Sequence, residues 1–333
     1  MGRIKLKEEP VDKIGSYFLS DKKDIDFISS GSTLLNLVLG GGWAMGRMSN
    51  LVGDKSSGKT LLAIEACANF VKKYPKGKIY YHETEAAFDK NYAGALGMPV
   101  DKVIFIEDIM TVEGMFKFID DKILDKSKIP KLYILDSLDA LDATEDSRKE
   151  LDEAGYSGAR KAGKLSSLFR KRIKDIEGSN ICLLIISQIR VNIGVTFGKK
   201  TTRSGGKALD FYASQIVWLK TLSKISKTIS GITRPYSLLV RANCEKNKVG
   251  LAFRECEFPI LFGYGINSVL SNLQFLEKTK FLDKLSFKFR RIQSFAEKII
   301  EENDIDKITE IDKITKEVWN NIESGFLPKR RKY

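Results

Sequence analysis

Long apolar runs are missing from this chain of 333 residues: no stretch approaches the ~20 consecutive apolar residues that a bilayer-spanning helix needs, which excludes a helical membrane protein. Paired cysteines are missing too. Cys67, Cys182, Cys244 and Cys256 are scattered, with no CxxC pair and several inside apolar runs. That excludes a zinc ribbon or a disulfide framework and suits buried thiols in a reducing compartment. His82 is the only histidine, and it is read as a strand-end residue rather than a catalytic one. The amino-terminal MGRIKLKEEPVDK carries charge without an apolar segment behind it, the wrong pattern for a signal peptide or membrane anchor, so a cytoplasmic location is expected. No internal repeat is evident.

What is present is a globular composition, 43% hydrophobic and 30% charged, with a net charge of +13. An excess of Lys and Arg on that scale draws polyanions and releases their counterions, which makes nucleic acid the first candidate partner. From residue 47 onward short apolar runs alternate with amphipathic stretches, the pattern of strands interleaved with helices in a mostly parallel sheet. The expected strands are Met48 to Val52, Lys78 to His82, Val103 to Ile106, Leu132 to Leu135 and Ile181 to Ser187. A helix is expected over Thr111 to Leu124, where Val112, Met115, Phe116, Ile119 and Ile123 share one face. Further strands, Gln215 to Lys220, Tyr236 to Glu245 and Phe253 to Phe258, extend the sheet, and from Ser271 the chain turns helical and basic, through Lys278 to Arg291 and the tail Lys329 to Lys332. The organisation expected is an extension over 1–27, an α/β core over 28–270 and a small basic domain over 271–333.

One motif carries chemistry on its own. Gly53-Asp54-Lys55-Ser56-Ser57-Gly58-Lys59-Thr60 follows an apolar strand and opens a helix, the context of a phosphate-binding loop. Its backbone N–H groups wrap phosphates, Lys59 supplies positive charge and Thr60 an oxygen for Mg2+, so the chain is expected to bind ATP. Asp136 ends the run Leu132 to Leu135 as the metal-side acid. Hydrolysis also needs a group to orient or deprotonate water, and Glu85 is placed for it, with Glu83 as competitor. Gln188 puts an amide at another strand end, where it can exchange hydrogen bonds between nucleotide states. A Gly-rich basic loop follows at once, with Lys199, Lys200 and Arg203 for phosphates and Ile193 and Phe197 for bases, a mix that suits single-stranded DNA.

The segments GDKSSGKT, ETEAAFDKNYAGALGM, LYILDSLDAL, SQIRVNIGVTFGKKTTRSGGKALDFYAS and CEKNKVGLAFRECEFPILFGYGIN closely resemble, in order and spacing, the RecA recombinases of bacteria and tailed phages over residues 28–270. The resemblance implies a RecA-like fold in which Glu85 activates water, Asp89 and Tyr92 hold the adenine, and Gln188 senses the γ-phosphate. It implies that the loop behind Gln188 binds DNA through Arg190, Ile193, Gly205 and Gly206, with a first DNA loop near Glu145 to Gly158. Lys246 and Lys248 match lysines that reach a neighbour's ATP across the filament interface, with Phe262 and Gly263 near that nucleotide. The implied activity is a DNA-stimulated ATPase that forms helical filaments on single-stranded DNA and exchanges strands with homologous duplex, with single-strand-binding and loader proteins as further partners. The chain departs from the family in a more charged first loop, in Lys207 after the Gly pair, in a basic tail and in residues 1–27, the segment expected to dock protomers. Leu165 to Arg170 and Lys73-Tyr74-Pro75 resemble phage UvsX proteins, which implies a viral origin. An accessory paralogue with little turnover and a ring-forming helicase on the same core are the competing readings; intact Lys59, Glu85, Asp136 and Gln188 argue against the first, and Lys246 and Lys248 against the second.

Overall fold

The computed structural model describes residues 25–125, 127–142, 154–177, 179–191, 201–203 and 205–327. At its centre lie six parallel strands, β3 (Arg47–Gly53), β4 (Lys78–Glu83), β5 (Val103–Ile106), β6 (Lys131–Asp136), β7 (Ile181–Val191) and β9 (Gln215–Ile229), in the order β9-β3-β7-β6-β4-β5. Antiparallel β10 (Ile232–Asn247), β11 (Arg254–Leu261) and β12 (Gly265–Ile266) continue the sheet beyond β9. β8 (Thr201–Arg203) pairs antiparallel with the end of β7. A separate pair, β1 (Phe27–Ile28) and β2 (Trp43–Ala44), flanks α1 (Thr33–Leu39).

The central strands are apolar on both faces because both faces are covered. Ile79, Tyr81, Leu132, Ile134, Cys182, Leu184 and Ile186 pack toward α2 (Lys59–Lys73), while Tyr80, Tyr133, Leu135, Leu183 and Ile185 pack toward α4 (Val112–Phe118) and α5 (Ala154–Glu177). Each fully buried side chain of this size contributes about 1.5–3 kcal/mol relative to exposure. All four cysteines are free and buried in this core or beside it. Among the described residues no helix is long and apolar enough to cross a membrane.

The expected strand positions hold to within a few residues for β3 to β7, but one helix and two strands differ from expectation. The helix foreseen over Thr111 to Leu124 is α-helical only to Phe118 and widens into a π-helical turn over Ile119–Ile123, which keeps Ile119 and Ile123 buried. The strands foreseen over Gln215 to Lys220 and Tyr236 to Glu245 are far longer: β9 and β10 run on as a polar two-stranded ribbon. They are joined through Ser230 and Gly231, at φ 50° and 80°, the left-handed pair that a two-residue hairpin turn of matching twist requires. Three helices follow β12, α7 (Ser268–Thr279), α8 (Ile292–Glu302) and α9 (Ile305–Phe326), around their own apolar cluster of Leu270, Leu273, Leu276, Ala296, Ile299, Ile311 and Val318. This cluster is tied to the sheet by Arg254 on Glu323 (2.6 Å), and α9 to α1 by Thr33 Oγ1 donating to Asp312 Oδ1 (2.8 Å). The ribbon leans on α8, whose Gln293 Nε2 donates to the Tyr236 hydroxyl at 3.0 Å.

Candidate functional site

The carboxyl ends of β3, β4, β6 and β7 lie side by side, with Gly53 across from Gln188 and Glu83 across from Asp136. That edge of a parallel sheet is where the fold places ligands. Between β3 and α2 the loop Asp54 to Gly58 closes on the Asp54 carbonyl, which accepts from the Ser57 hydroxyl (2.8 Å) and from Lys59 Nζ (2.6 Å); Lys59 Nζ also donates to the Gly53 carbonyl at 3.0 Å. Ser56 and Gly58 have φ of 56° and 91°, and a Cβ on Gly53 would stand 2.4 Å from Ser57 Oγ, so the loop accepts little else. No side chain caps the N-terminus of α2, whose first N–H groups are left for an anion. Burial holds the Lys59 pKa below the usual lysine value, and Asp136 and Glu85 pull the other way.

Asp136 Oδ2 accepts from the Thr60 hydroxyl at 2.8 Å and from the Tyr81 hydroxyl at 2.7 Å. Burial raises its carboxyl pKa, opposed by these two hydroxyls. A hydroxyl and a carboxylate in contact at the mouth of a phosphate loop form an oxygen donor set suited to Mg2+.

Glu83 and Glu85 are separated by their surroundings. Glu83 is buried and turned into its own loop, where its carboxylate accepts from the backbone N–H of Glu85 (2.9 Å), Ala86 (3.0 Å) and Ala87 (3.3 Å). It is a brace, not the solvated turn acid that its sequence position allows. Glu85 faces outward, and its Oε1 accepts from the Ser137 hydroxyl at 2.6 Å and from Gln188 Nε2 at 2.8 Å. Gln188 is held at its main chain as well, its N–H donating to Asp139 Oδ2 at 2.6 Å. Sequence reasoning missed Ser137, Tyr81 and Asp139; the first was within sight, since it directly follows the strand-end acid.

His82 sits at the end of β4 but is fully buried. Its Nε2 meets the Ile109 carbonyl at 2.6 Å, which can only accept, so Nε2 carries the proton and Nδ1 accepts from the Tyr133 hydroxyl at 2.7 Å. Burial lowers its pKa, and its contacts are structural.

Asp89 caps α3 (Lys90–Ala95), accepting from the N–H of Asn91 (2.9 Å) and Tyr92 (3.0 Å), and Tyr92 is exposed. Phe262 and Gly263 form the exposed turn between β11 and β12, and Ile260 of the same hairpin lies against Gly58. Lys246 and Lys248 lie elsewhere. Lys246 pairs with Ile216, which pairs with Asn50, so its backbone sits back along the strands from Gly53. Its Nζ donates to the carbonyls of Asp210 and Phe211 (3.1 Å) in α6 (Gly206–Tyr212), on the face of the sheet opposite α2.

Of the second-loop residues, Ile193, Phe197, Lys199 and Lys200 lie outside the described residues, as do most of the stretch Glu145 to Gly158 and the basic tail. Arg190 is in β7, opposite Thr202 of β8; Gly205 is the N-cap of α6 at φ 85°, packed on Leu138 and Leu209, and Gly206 is the first residue of the helix. Arg203 departs from its expected setting: it is buried at 5% exposure, paired with Asp210, with its guanidinium 5.7 Å from the Trp218 ring centroid. A basic residue in a Gly-rich loop reads as exposed, and the neighbouring indole is what draws this one inward.

A family model, that of the RecA N-terminal domain, matches residues 7–267. The chain is 33% identical over 264 residues to Protein RecA of Rippkaea orientalis, covering 78% of this chain and 72% of that one. It is 32% identical to Protein RecA of a Prochlorococcus marinus strain (80% and 67% covered) and 33% identical to Protein RecA of Nostoc punctiforme (77% and 68% covered). A strand-end phosphate loop, a braced outward glutamate and a sheet of this topology thus come with sequence identity over most of the chain, and the chain belongs to the RecA family of ATP-dependent, DNA-stimulated recombinases.

Proposed function

We infer that this protein uses ATP with Mg2+ to assemble as a helical filament on single-stranded DNA in the cytoplasm and to exchange strands with homologous duplex. The observation that carries the reading is the contact of Glu85 with Gln188. A carboxylate placed to activate water is held by an amide from the strand that leads into the second loop. An amide that leaves Glu85 for a γ-phosphate frees the base and pulls on β7 in the same movement, which links hydrolysis to the DNA loop. In this reading Gly53 to Thr60 wrap the phosphates, Thr60 and Asp136 hold Mg2+, which would neutralise phosphate charge, and Asp89 and Tyr92 flank the base. Residues 28–270 act as the ATPase and DNA-binding core, residues 271–333 as a basic accessory domain, and residues 1–27 as the segment that docks protomers. Arg190, Gly205 and Gly206 lie along the DNA path with Ile193, Phe197, Lys199 and Lys200.

The position of Lys246 and Lys248 supports a site shared between protomers. Three positions back from the row of Gly53, and on the face away from α2, the Lys246 ammonium is turned from its own phosphate loop and free to serve a neighbour's. Phe262 and Gly263, expected near the neighbour's ATP with Lys246 and Lys248, sit instead on the hairpin beside this chain's own Gly58, where they would flank its own nucleotide. The test is ATPase activity with and without single-stranded DNA, combined with strand exchange and electron microscopy in a slowly hydrolysed ATP analogue. DNA-stimulated turnover, helical filaments and exchanged strands are expected. Closed rings would point to the helicase reading instead, and filaments without stimulated turnover to an accessory protein.

A further inference from the structure

The second loop returns to the core through β8 and α6, and charged side chains gather at that junction. Arg203 ends β8, buried, with its guanidinium on the Trp218 ring and paired with the Asp210 carboxylate of α6. Its Nε and Nη1 have no hydrogen-bond partner among the described residues. The Trp218 indole N–H donates to Glu245 Oε2 at 2.6 Å. One residue further along β10, Lys246 donates to the carbonyls of Asp210 and Phe211, at the end of α6 where unpaired C=O groups attract a cation. Asp210 is therefore shared: its carboxylate holds Arg203 and its carbonyl holds Lys246.

We propose that Arg203 is a positioning residue, which occupies the Asp210 carboxylate so that Lys246 rests only on main-chain carbonyls and stays free to reach a neighbour's nucleotide. The proposal rests on the reading of Lys246 as a lysine that acts across the filament interface. Neutral carbonyls are weak competitors for an ammonium, whereas a carboxylate is a strong one. A displacement of β8 would withdraw Arg203, leave Asp210 to capture Lys246 and switch off the neighbouring site. Arg203 thereby ties the placement of β8 to the next protomer's chemistry.

The charged groups around the Lys246 ammonium are Asp210 on α6, Arg203 on β8 and Lys248 just past the end of β10, while Glu245 acts on Arg203 and holds Trp218. Burial lowers its pKa, the Lys248 and Arg203 cations add to that and Asp210 opposes it, leaving it at about 8. The ammonium is the working form, so DNA-stimulated turnover should fall as pH rises through that value. In Arg203→Gln a cation is lost and a carboxylate unpaired, so the alkaline limb should rise by roughly half a pH unit, the scale of one partly screened charge. In Asp210→Asn the counter-charge is lost and the limb should fall by a similar amount.

The experiment is the pH profile of DNA-stimulated ATPase, from about pH 6.5 to about pH 9.5, in the full chain and in Arg203→Gln, Asp210→Asn and the double variant. Arg203→Gln should turn over several-fold more slowly below the limb with KM for ATP little changed, and the double variant should recover most of that rate. The Asp210 side chain is 61% exposed, so Asp210→Asn keeps the test open if Arg203→Gln fails to fold. Limbs that stay fixed or move in the same direction would overturn the proposal. So would Arg203→Gln that weakens single-stranded DNA binding and lowers its salt slope by about 1, the signature of a phosphate contact. A wild-type chain without DNA-stimulated ATPase would instead overturn the functional reading beneath it.

Discussion

Replacing Glu83 by glutamine asks whether one buried carboxylate sets the loop that carries Glu85. Oε1 accepts from the N–H of Glu85 at 2.9 Å and of Ala87 at 3.3 Å, and Oε2 from Ala86 at 3.0 Å. Ala86 is held at φ 52°, a left-handed conformation that costs about 1–3 kcal/mol and persists only where surrounding bonds fix it. Glutamine keeps the shape, but one oxygen becomes an NH2 group that cannot accept. Whichever way the amide turns, at least one N–H loses its acceptor, at a cost of about 1–3 kcal/mol, and the other bonds lose the help of the charge. The chain should either lose that much stability or let the loop relax, and a relaxed loop carries Glu85 with it. A displacement of ~1 Å in a reacting geometry is worth about a hundredfold in rate. ATPase at saturating single-stranded DNA should therefore show kcat down by at least about tenfold, with KM for ATP within a few fold because the phosphate loop is untouched, and urea unfolding should report the stability. Wild-type turnover with an unchanged midpoint would refute the bracing argument. Loss of turnover in Glu83→Gln beside full turnover in Glu85→Gln would transfer the catalytic role to Glu83.

Tyr81→Phe removes one of two hydroxyls on Asp136, a bond to a carboxylate worth about 1.5–3 kcal/mol. The Asp136 carboxyl, already raised by burial, should move further up, so the acid limb of ATPase shifts to higher pH and more Mg2+ is needed for half-maximal rate; an unaltered Mg2+ titration would count against the assignment. His82 is a base whose pKa burial depresses, so its contribution to stability is complete above the ordinary value of 6.5 and is lost as pH falls below it toward the lowered value. Urea midpoints at about pH 7.5 and about pH 5 should therefore converge in His82→Gln relative to wild type, and an undiminished gap would mean that other groups carry the pH dependence.

How much of this was legible in the sequence depended on whether a local pattern had one physical cause. Leu132 to Leu135 and Ile181 to Ser187 could be read because strands covered on both faces must be continuously apolar, and the phosphate loop because its glycines and Lys59 answer to a backbone geometry. The ribbon of β9 and β10 was not legible past Lys220. Lys224, Ser226 and Lys227 are exposed and bury nothing, so no alternation marks the strand, which is held by cross-strand hydrogen bonds and by Tyr236 on Gln293. The split between Glu83 and Glu85 was also invisible. Two acids two residues apart look alike until the turn at Ala86 points one at three amides and the other at Ser137 and Gln188. Arg203 was misplaced for a third reason: its burial depends on Trp218, far along the chain and ordinary in its own strand.

The way Gln188 is anchored bears on how a change at the nucleotide can travel. Its main-chain N–H stays on Asp139 Oδ2 while its side chain holds Glu85, so the amide can let go of the carboxylate without β7 leaving the sheet. Whatever moves must then move beyond that anchor, in Ile189 to Val191 and in β8, which pairs with those residues. β8 ends at Arg203, and Arg203 is paired with the carboxylate of Asp210, whose carbonyl also holds Lys246. Under the proposed role of Lys246 across the protomer interface, this route would lead from one nucleotide, through β8, to the lysine that serves the next. Each ATP of a filament would then be read twice, once by the chain that binds it and once by its neighbour.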